Sequence, residues 1–228
     1  MADKTNVQDS SEVVIAKAKD FWGKYGKMLT IASVIIIVLA GGWYAYRTYV
    51  QKPKEAKAAD AMFKAEEYYR LDSVNLALNG DGQNWGFLKV IDKYGGTKSG
   101  KLANYYAGSC YIKLNDNEKA LKYLKKYSGD SKLVQARAYK LMGDASADLG
   151  KNNDALDYYK KAAHHFEKDE TTSAEYLFYA AYLADRVMKD PKQAIELYKE
   201  LKQKYPKTNQ GREADNFLAQ LGVYNSEN

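Results

Sequence analysis

The chain has 228 residues, 35 Lys and Arg against 29 Asp and Glu, a net charge of +6, 21 tyrosines and one cysteine. That length allows one or two domains, and the lone Cys110 excludes an internal disulfide and reads as a small buried hydrophobe. The basic excess is dispersed: residues 51–228 carry 29 Lys and Arg against 25 Asp and Glu, and no cluster of five or more cations occurs, which excludes the footprint of a nucleic-acid-binding surface.

Residues 1–12 are polar and read as a tail. Val14, Ala18, Phe21, Trp22 and Tyr25 then recur at helical spacing among Lys17, Lys19, Lys24 and Lys27. This predicts a short amphipathic helix on a membrane surface within an N-terminal segment 1–27. Residues 28–46 carry no charge, and as helix they extend about 28 Å, close to the hydrocarbon thickness of a bilayer. Trp22 and Tyr25 on one side and Trp43, Tyr44, Tyr46 and Tyr49 on the other supply aromatic belts. A buried core helix would show some polar face over such a length. A cleaved signal peptide would have a shorter apolar core and leader, and no cysteine follows Gly42 for lipoprotein processing. The expectation is an uncleaved transmembrane signal anchor. Lys17, Lys19, Lys24 and Lys27 are balanced across it by Arg47, Lys52, Lys54 and Lys57. Lys24 and Lys27 lie nearest the span and favour the N-terminus inside, with the C-terminal part outside the cytoplasmic membrane.

Residues 47–57, with Pro53, form a linker or helix extension. From 58 to 94 the pattern predicts a degenerate helical hairpin. A helix over 56–70 uses Ala59, Met62, Phe63, Glu66 and Tyr69; a loop over 71–82 holds the turn Asn79-Gly80-Asp81-Gly82; a second helix runs from Trp85 to Tyr94. Gly95-Gly96-Thr97-Lys98-Ser99-Gly100-Lys101 has phosphate-loop spacing, but Leu102 stands where Ser or Thr should hold a metal ion, and the preceding segment is an amphipathic helix. Lys204-Tyr205-Pro206-Lys207-Thr208 repeats the same linker, with Gly211 matching Gly100, so the segment reads as a turn between repeats with no nucleotide.

A pattern recurs three times between 101 and 206. Gly108 is followed by Tyr111, Ala120 and Leu124; Gly143 by Ala155, Tyr159 and Ala162; the third copy keeps Ala194, Tyr198, Leu201 and Pro206, and needs a one-residue insertion to place Ala181. Gly108 and Gly143 are 35 residues apart, as are Ala120 and Ala155. Small residues at such a period let antiparallel helices cross closely while a Tyr or Leu a turn away fills the adjacent hole. The spacing resembles the tetratricopeptide repeat over about half the chain. The resemblance implies an all-α solenoid behind a single N-terminal transmembrane helix, with repeats over 101–127, 136–162 and 174–206. A capping helix over 211–221, with Ala214, Phe217, Leu218 and Leu221 on one face, and a tail over 222–228 follow.

No catalytic set is visible. Adjacent His164 and His165 lack the spacing that two metal ligands on one helix need, and neither Gly-x-Ser-x-Gly nor a paired-cysteine motif occurs. Neither metal nor cofactor is expected; the chain reads as a binder, not an enzyme. In tetratricopeptide folds partners bind the concave wall made by the first helix of each hairpin. Carried over, that wall would use Tyr105, Ser109 and Ile112, then Arg137, Lys140 and Asp144, then Phe178, Tyr182 and Asp185, a groove suited to an extended or helical peptide. The layout of tail, anchor and small repeat domain is similar to that of the YfgM-like ancillary subunits of the bacterial Sec translocon. That resemblance implies an inner-membrane protein with its repeats in the periplasm, partnered by SecYEG, a PpiD-like chaperone and emerging polypeptides. A generic scaffold for outer-membrane assembly or cell division, and a regulatory tether with cytoplasmic repeats, are the alternatives.

Overall fold

The computed structural model describes residues 5–224; the outermost residues of both expected tails lie outside that range. The chain forms two compact units, Met1–Pro53 and Lys54–Asn228.

The first unit is helix α1 (Thr5–Tyr46) followed by a π-helical turn (Arg47–Gln51). Helix already runs through the polar stretch read as a tail, and the amphipathic segment is not a separate element. No proline interrupts residues 5–46, and Gly23 and Gly26 each cost a helix only about 1 kcal/mol. Among the described residues, α1 holds the stretch long and apolar enough to cross a membrane, and none of that stretch is buried against protein.

The second unit contains all but the first two residues of α2 (Lys52–Arg70), then α3 (Val74–Asn79), α4 (Phe87–Tyr94), α5 (Lys98–Lys113), α6 (Asn117–Leu124), α7 (Lys132–Asp148), α8 (Asn152–His165), α9 (Glu170–Tyr182), a π-helical turn (Leu183–Val187), α10 (Pro191–Lys204) and α11 (Asn209–Gln220). From α4 onward each helix packs on the next in chain order. The core is correspondingly split into three neighbouring apolar clusters that share Leu102, Tyr111 and Tyr139 at their borders, as expected of a solenoid in which each repeat touches only its neighbours.

Local chemistry sets the helix starts. Thr97, Asp116, Ser131, Asp169, Asp190 and Thr208 each accept a hydrogen bond from the backbone N–H three residues ahead, at Gly100, Lys119, Val134, Thr172, Gln193 and Gly211. This satisfies one of the donors that a helix N-terminus leaves unpaired. The linker that mimics a phosphate loop is one of these starts. Thr97 Oγ1 donates to Tyr94 O at 2.6 Å while accepting from Gly100 N at 3.0 Å, and Thr208 repeats the pair with Tyr205 O at 2.8 Å and Gly211 N at 3.0 Å. A Cβ on Gly100 or Gly211 would stand 1.9 Å from the carbonyl oxygen of Tyr94 or Tyr205, so this turn closes only over glycine.

The hairpin turns share a second device. Asp72, Asn115, Gly150 and Lys189 take positive φ between the two arms of successive hairpins. In the first three the next N–H returns to the carbonyl five residues back: Ser73 to Tyr68, Asp116 to Tyr111, and Lys151 to Ser146, at 2.8–2.9 Å. In the fourth, Asp190 N reaches Ala184 O, six residues back, across the π-helical turn. That turn is where the third repeat accommodates its extra residue, because an i→i+5 bond holds one more residue per turn than an α-helical bond.

The first repeat departs most from expectation. The buried stripe of α2 is Ala58, Met62 and Ala65, while Ala59 and Phe63 face outward. The segment 71–82, read as loop, contains α3, and the second helix starts at Phe87 rather than Trp85. The second arm of this hairpin is therefore cut into α3 and α4 by the loop Gly80–Gly86.

Candidate protein-binding face

The first arms α5, α7 and α9 carry the side chains that the sequence reading grouped. Tyr105 on α5 is half-buried, with its ring 5.8 Å from Tyr127 and 5.5 Å from Tyr106. Ser109 is buried, its hydroxyl 2.7 Å from that of Tyr69, and Ile112 packs partly on the Ala120–Leu124 cluster. On α7, Arg137 is exposed, and its charge reaches two phenols from different repeats. Burial raises the hydroxyl pKa of Tyr105 to about 12 and also raises that of Tyr176 on α9; the Arg137 guanidinium opposes burial at both.

One turn further along α7, Lys140 Nζ lies 2.8 Å from Asp144 Oδ2 and 5.1 Å from the Tyr179 ring centroid on α9. Asp144 Oδ1 accepts from the Tyr159 hydroxyl at 2.9 Å, and Tyr179 donates to Glu175 at 2.6 Å. Asp144 and Lys140 are thus part of a polar lattice tying α7 to α8 and α9. Burial first, then the Asp144 charge, pushes the Tyr159 hydroxyl far above its usual range.

Of the third-copy positions chosen from sequence, Phe178 and Asp185 make other contacts. Phe178 turns toward the closing helix, with its ring 5.3 Å from Phe217 on α11 and 6.3 Å from Tyr198 on α10; Tyr182 lies 5.9 Å from Phe178. Asp185 is buried on the π-helical turn, with Oδ2 2.9 Å from Arg186 Nε. A first arm has two lateral neighbours, the preceding and the following one, and different sides of α9 serve each. Tyr176 and Tyr179, which the sequence reading passed over, are the α9 residues facing α7. Their i, i+3 spacing is a signal, but alanines at 174, 180 and 181 leave the register of that helix open.

Three phenols have hydroxyl pKa values raised to about 12: Tyr105 and Tyr198 chiefly by burial, Tyr179 by its bond to Glu175 and then burial. Each favours the protonated form on folding, so its contribution is complete below the unfolded value near 10. As pH rises from about 10 to about 12 that stability is lost. An alkaline titration should show the last part of the phenolate absorbance, that of these three rings, rising together with loss of helical circular dichroism, after the exposed tyrosines have ionised.

The hairpin order, the notched crossings and the shared turn devices agree with comparison to known families. The chain matches the tetratricopeptide repeat-like domain over residues 19–132 and the tetratricopeptide repeat over residues 175–208. The chain belongs to the tetratricopeptide repeat-like family. Its repeats mark it as a protein–protein interaction module. The first match begins inside α1 and so includes the apolar stretch as well as the helices up to α6; the second covers the later part of α9, the π-helical turn and α10. No curated protein matches the chain.

Proposed function

We propose that the protein is a membrane-anchored docking module whose α5–α7–α9 face receives a polypeptide. It would act as an ancillary subunit of the Sec translocon beside a PpiD-like chaperone, with the anchor in the bacterial inner membrane, the N-terminus inside and the repeats in the periplasm. One observation carries the binding reading: an exposed cation, Arg137, acts on both Tyr105 and Tyr176, beside a framework in which Lys140 covers Tyr179 and Asp144 holds Lys140 and Tyr159. Aromatic rings give contact area at low entropic cost, and a preorganised guanidinium can take a carboxylate or peptide carbonyls. Tyr105, Ser109, Ile112, Arg137, Lys140 and Asp144 keep their place in this proposal; Phe178 packs against α10 and α11, Asp185 is buried on the π-helical turn, and Tyr182 stays exposed beside Phe178. The translocon assignment rests on the layout of anchor plus small repeat unit.

Co-purification in mild detergent followed by mass spectrometry tests it. SecY and a PpiD-like protein should be recovered with the wild type. Arg137→Glu should reduce that recovery at least several-fold, with the melting curve unchanged because Arg137 is exposed. Lys140→Glu is not a clean probe, since it would set a second carboxylate against Asp144. Recovery of outer-membrane assembly or division proteins in place of SecY would favour the scaffold reading. Protease resistance of the repeats in intact spheroplasts would favour the cytoplasmic tether.

A further inference from the structure

The loop that cuts the second arm of the first repeat has no counterpart in the later hairpins, and insertions in repeat proteins often carry binding function. It is pinned rather than loose. Asp81 accepts from Gln83 N at 2.9 Å, Asn84 N at 2.6 Å, Asn84 Nδ2 at 2.9 Å and the Tyr68 hydroxyl at 2.6 Å. Gly80 and Trp85 form an antiparallel bridge. Gly86 sits so close to α3 that a Cβ would be 2.3 Å from Leu78 O. The product of this construction is a Trp that is 38% exposed, its ring 6.0 Å from that of Tyr94 and tilted by 30°.

Trp85 and Tyr94 border an open cleft of about 340 Å³ completed by Lys57, Asp60 and Lys64 on α2 and by Gln83 and Asn84 on the loop. That volume lies at the lower end of small-molecule sites, about 300–1,000 Å³. Lys64 is engaged by Glu67 at 2.8 Å. The side chains of Lys57, Asp60 and Gln83 make no hydrogen bond or ion pair among the described residues. The free groups are therefore one cation, one anion and one amide beside a pair of aromatic faces. A single opposed charge pair favours neither an anionic nor a cationic ligand. Donors and acceptors in equal supply fit hydroxyl groups, each of which both donates and accepts, and the aromatic faces fit the C–H side of a pyranose. We propose that this cleft is a binding site for a neutral saccharide of one or two rings, separate from the α5–α7–α9 face.

The test is calorimetric titration of the full chain with maltose and with N,N′-diacetylchitobiose, in a detergent without a sugar head group so that the detergent does not compete. At least one of these disaccharides should bind saturably. Trp85→Ala should weaken that binding about tenfold or more, which corresponds to about 1.4 kcal/mol. Because Trp85 also closes its loop, Asp60→Ala on the exposed side of α2 is the companion variant. It should weaken binding with an unchanged melt, and Arg137→Glu should leave binding intact. The proposal is overturned if neither sugar binds the wild type, if Trp85→Ala binds as tightly as wild type, or if a proline-rich or lysine-rich peptide fills the cleft where the sugars do not.

Discussion

Gly143→Leu is expected to lower the melting temperature of the repeat unit by roughly 10 °C, equivalent to about 3 kcal/mol or more for a domain of this size. A Cβ at this position would lie 2.5 Å from both Cδ1 and Cε1 of Tyr159. The ring has nowhere to retreat: Tyr159 is buried, its flanking helix positions Ala155 and Ala162 are closed, and its hydroxyl is held by Asp144 at 2.9 Å. Forcing extra methylenes into such a contact costs about 1–3 kcal/mol, and displacing the phenol also forfeits a hydrogen bond to a charged group, about 1.5–3 kcal/mol. Gly96→Ala is the control, since nothing lies within 4 Å of the added Cβ; its melt should stay within about 0.5 kcal/mol of wild type. An unaltered Gly143→Leu melt would mean that α7 and α8 do not cross at this glycine.

Tyr198→Ala should be as damaging from the other end of the solenoid, at about 3–5 kcal/mol. Tyr198 is the largest fully buried side chain among those described. It stacks on Phe217 with ring centroids 5.0 Å apart and planes 6° apart, and Phe178 closes the third side at 6.3 Å. Removing the ring opens a cavity between α9, α10 and the closing helix, whose role is to cover the exposed end of the stack. Tyr198→Phe should behave oppositely. The buried hydroxyl has no hydrogen-bond partner among the described residues, so deleting it removes a desolvated polar atom and keeps the stack. Chemical denaturation of the pair separates the two effects: a Phe variant as unstable as the Ala variant would refute the assignment of the stability to ring packing.

The repeat architecture was legible because its determinants are local and periodic. Gly108 and Gly143 meet Leu124 and Tyr159 across their hairpins, contacts set by spacing within 16 residues of chain. The capping residues Asp116, Asp169 and Asp190 bond only three positions ahead. The extra residue inferred for the third copy has a defined place, in the bond from Asp190 N to Ala184 O. The first repeat was less legible. Ala59 and Phe63 offer as good a helical stripe as Ala58 and Ala65, and only the packing of neighbouring helices chose between them. Apolar side chains on two adjacent faces give one helix two acceptable rotations.

Residue pattern alone determined that the protein is helical, that its C-terminal part is a stack of notched hairpins, and that one uncharged stretch near the N-terminus is long enough for a bilayer. These follow from backbone hydrogen-bond period, capping chemistry and side-chain size, all of which act over a few residues. Only the tertiary structure decided which side of α9 meets α7, that Tyr176 comes under the charge of Arg137 and Tyr179 under Lys140 while Phe178 serves the closing helix, and that Trp85 is held out on a pinned loop. Those choices depend on which surfaces of separate helices compete for the same neighbour, a comparison of packing energies between segments that no single stretch of chain contains.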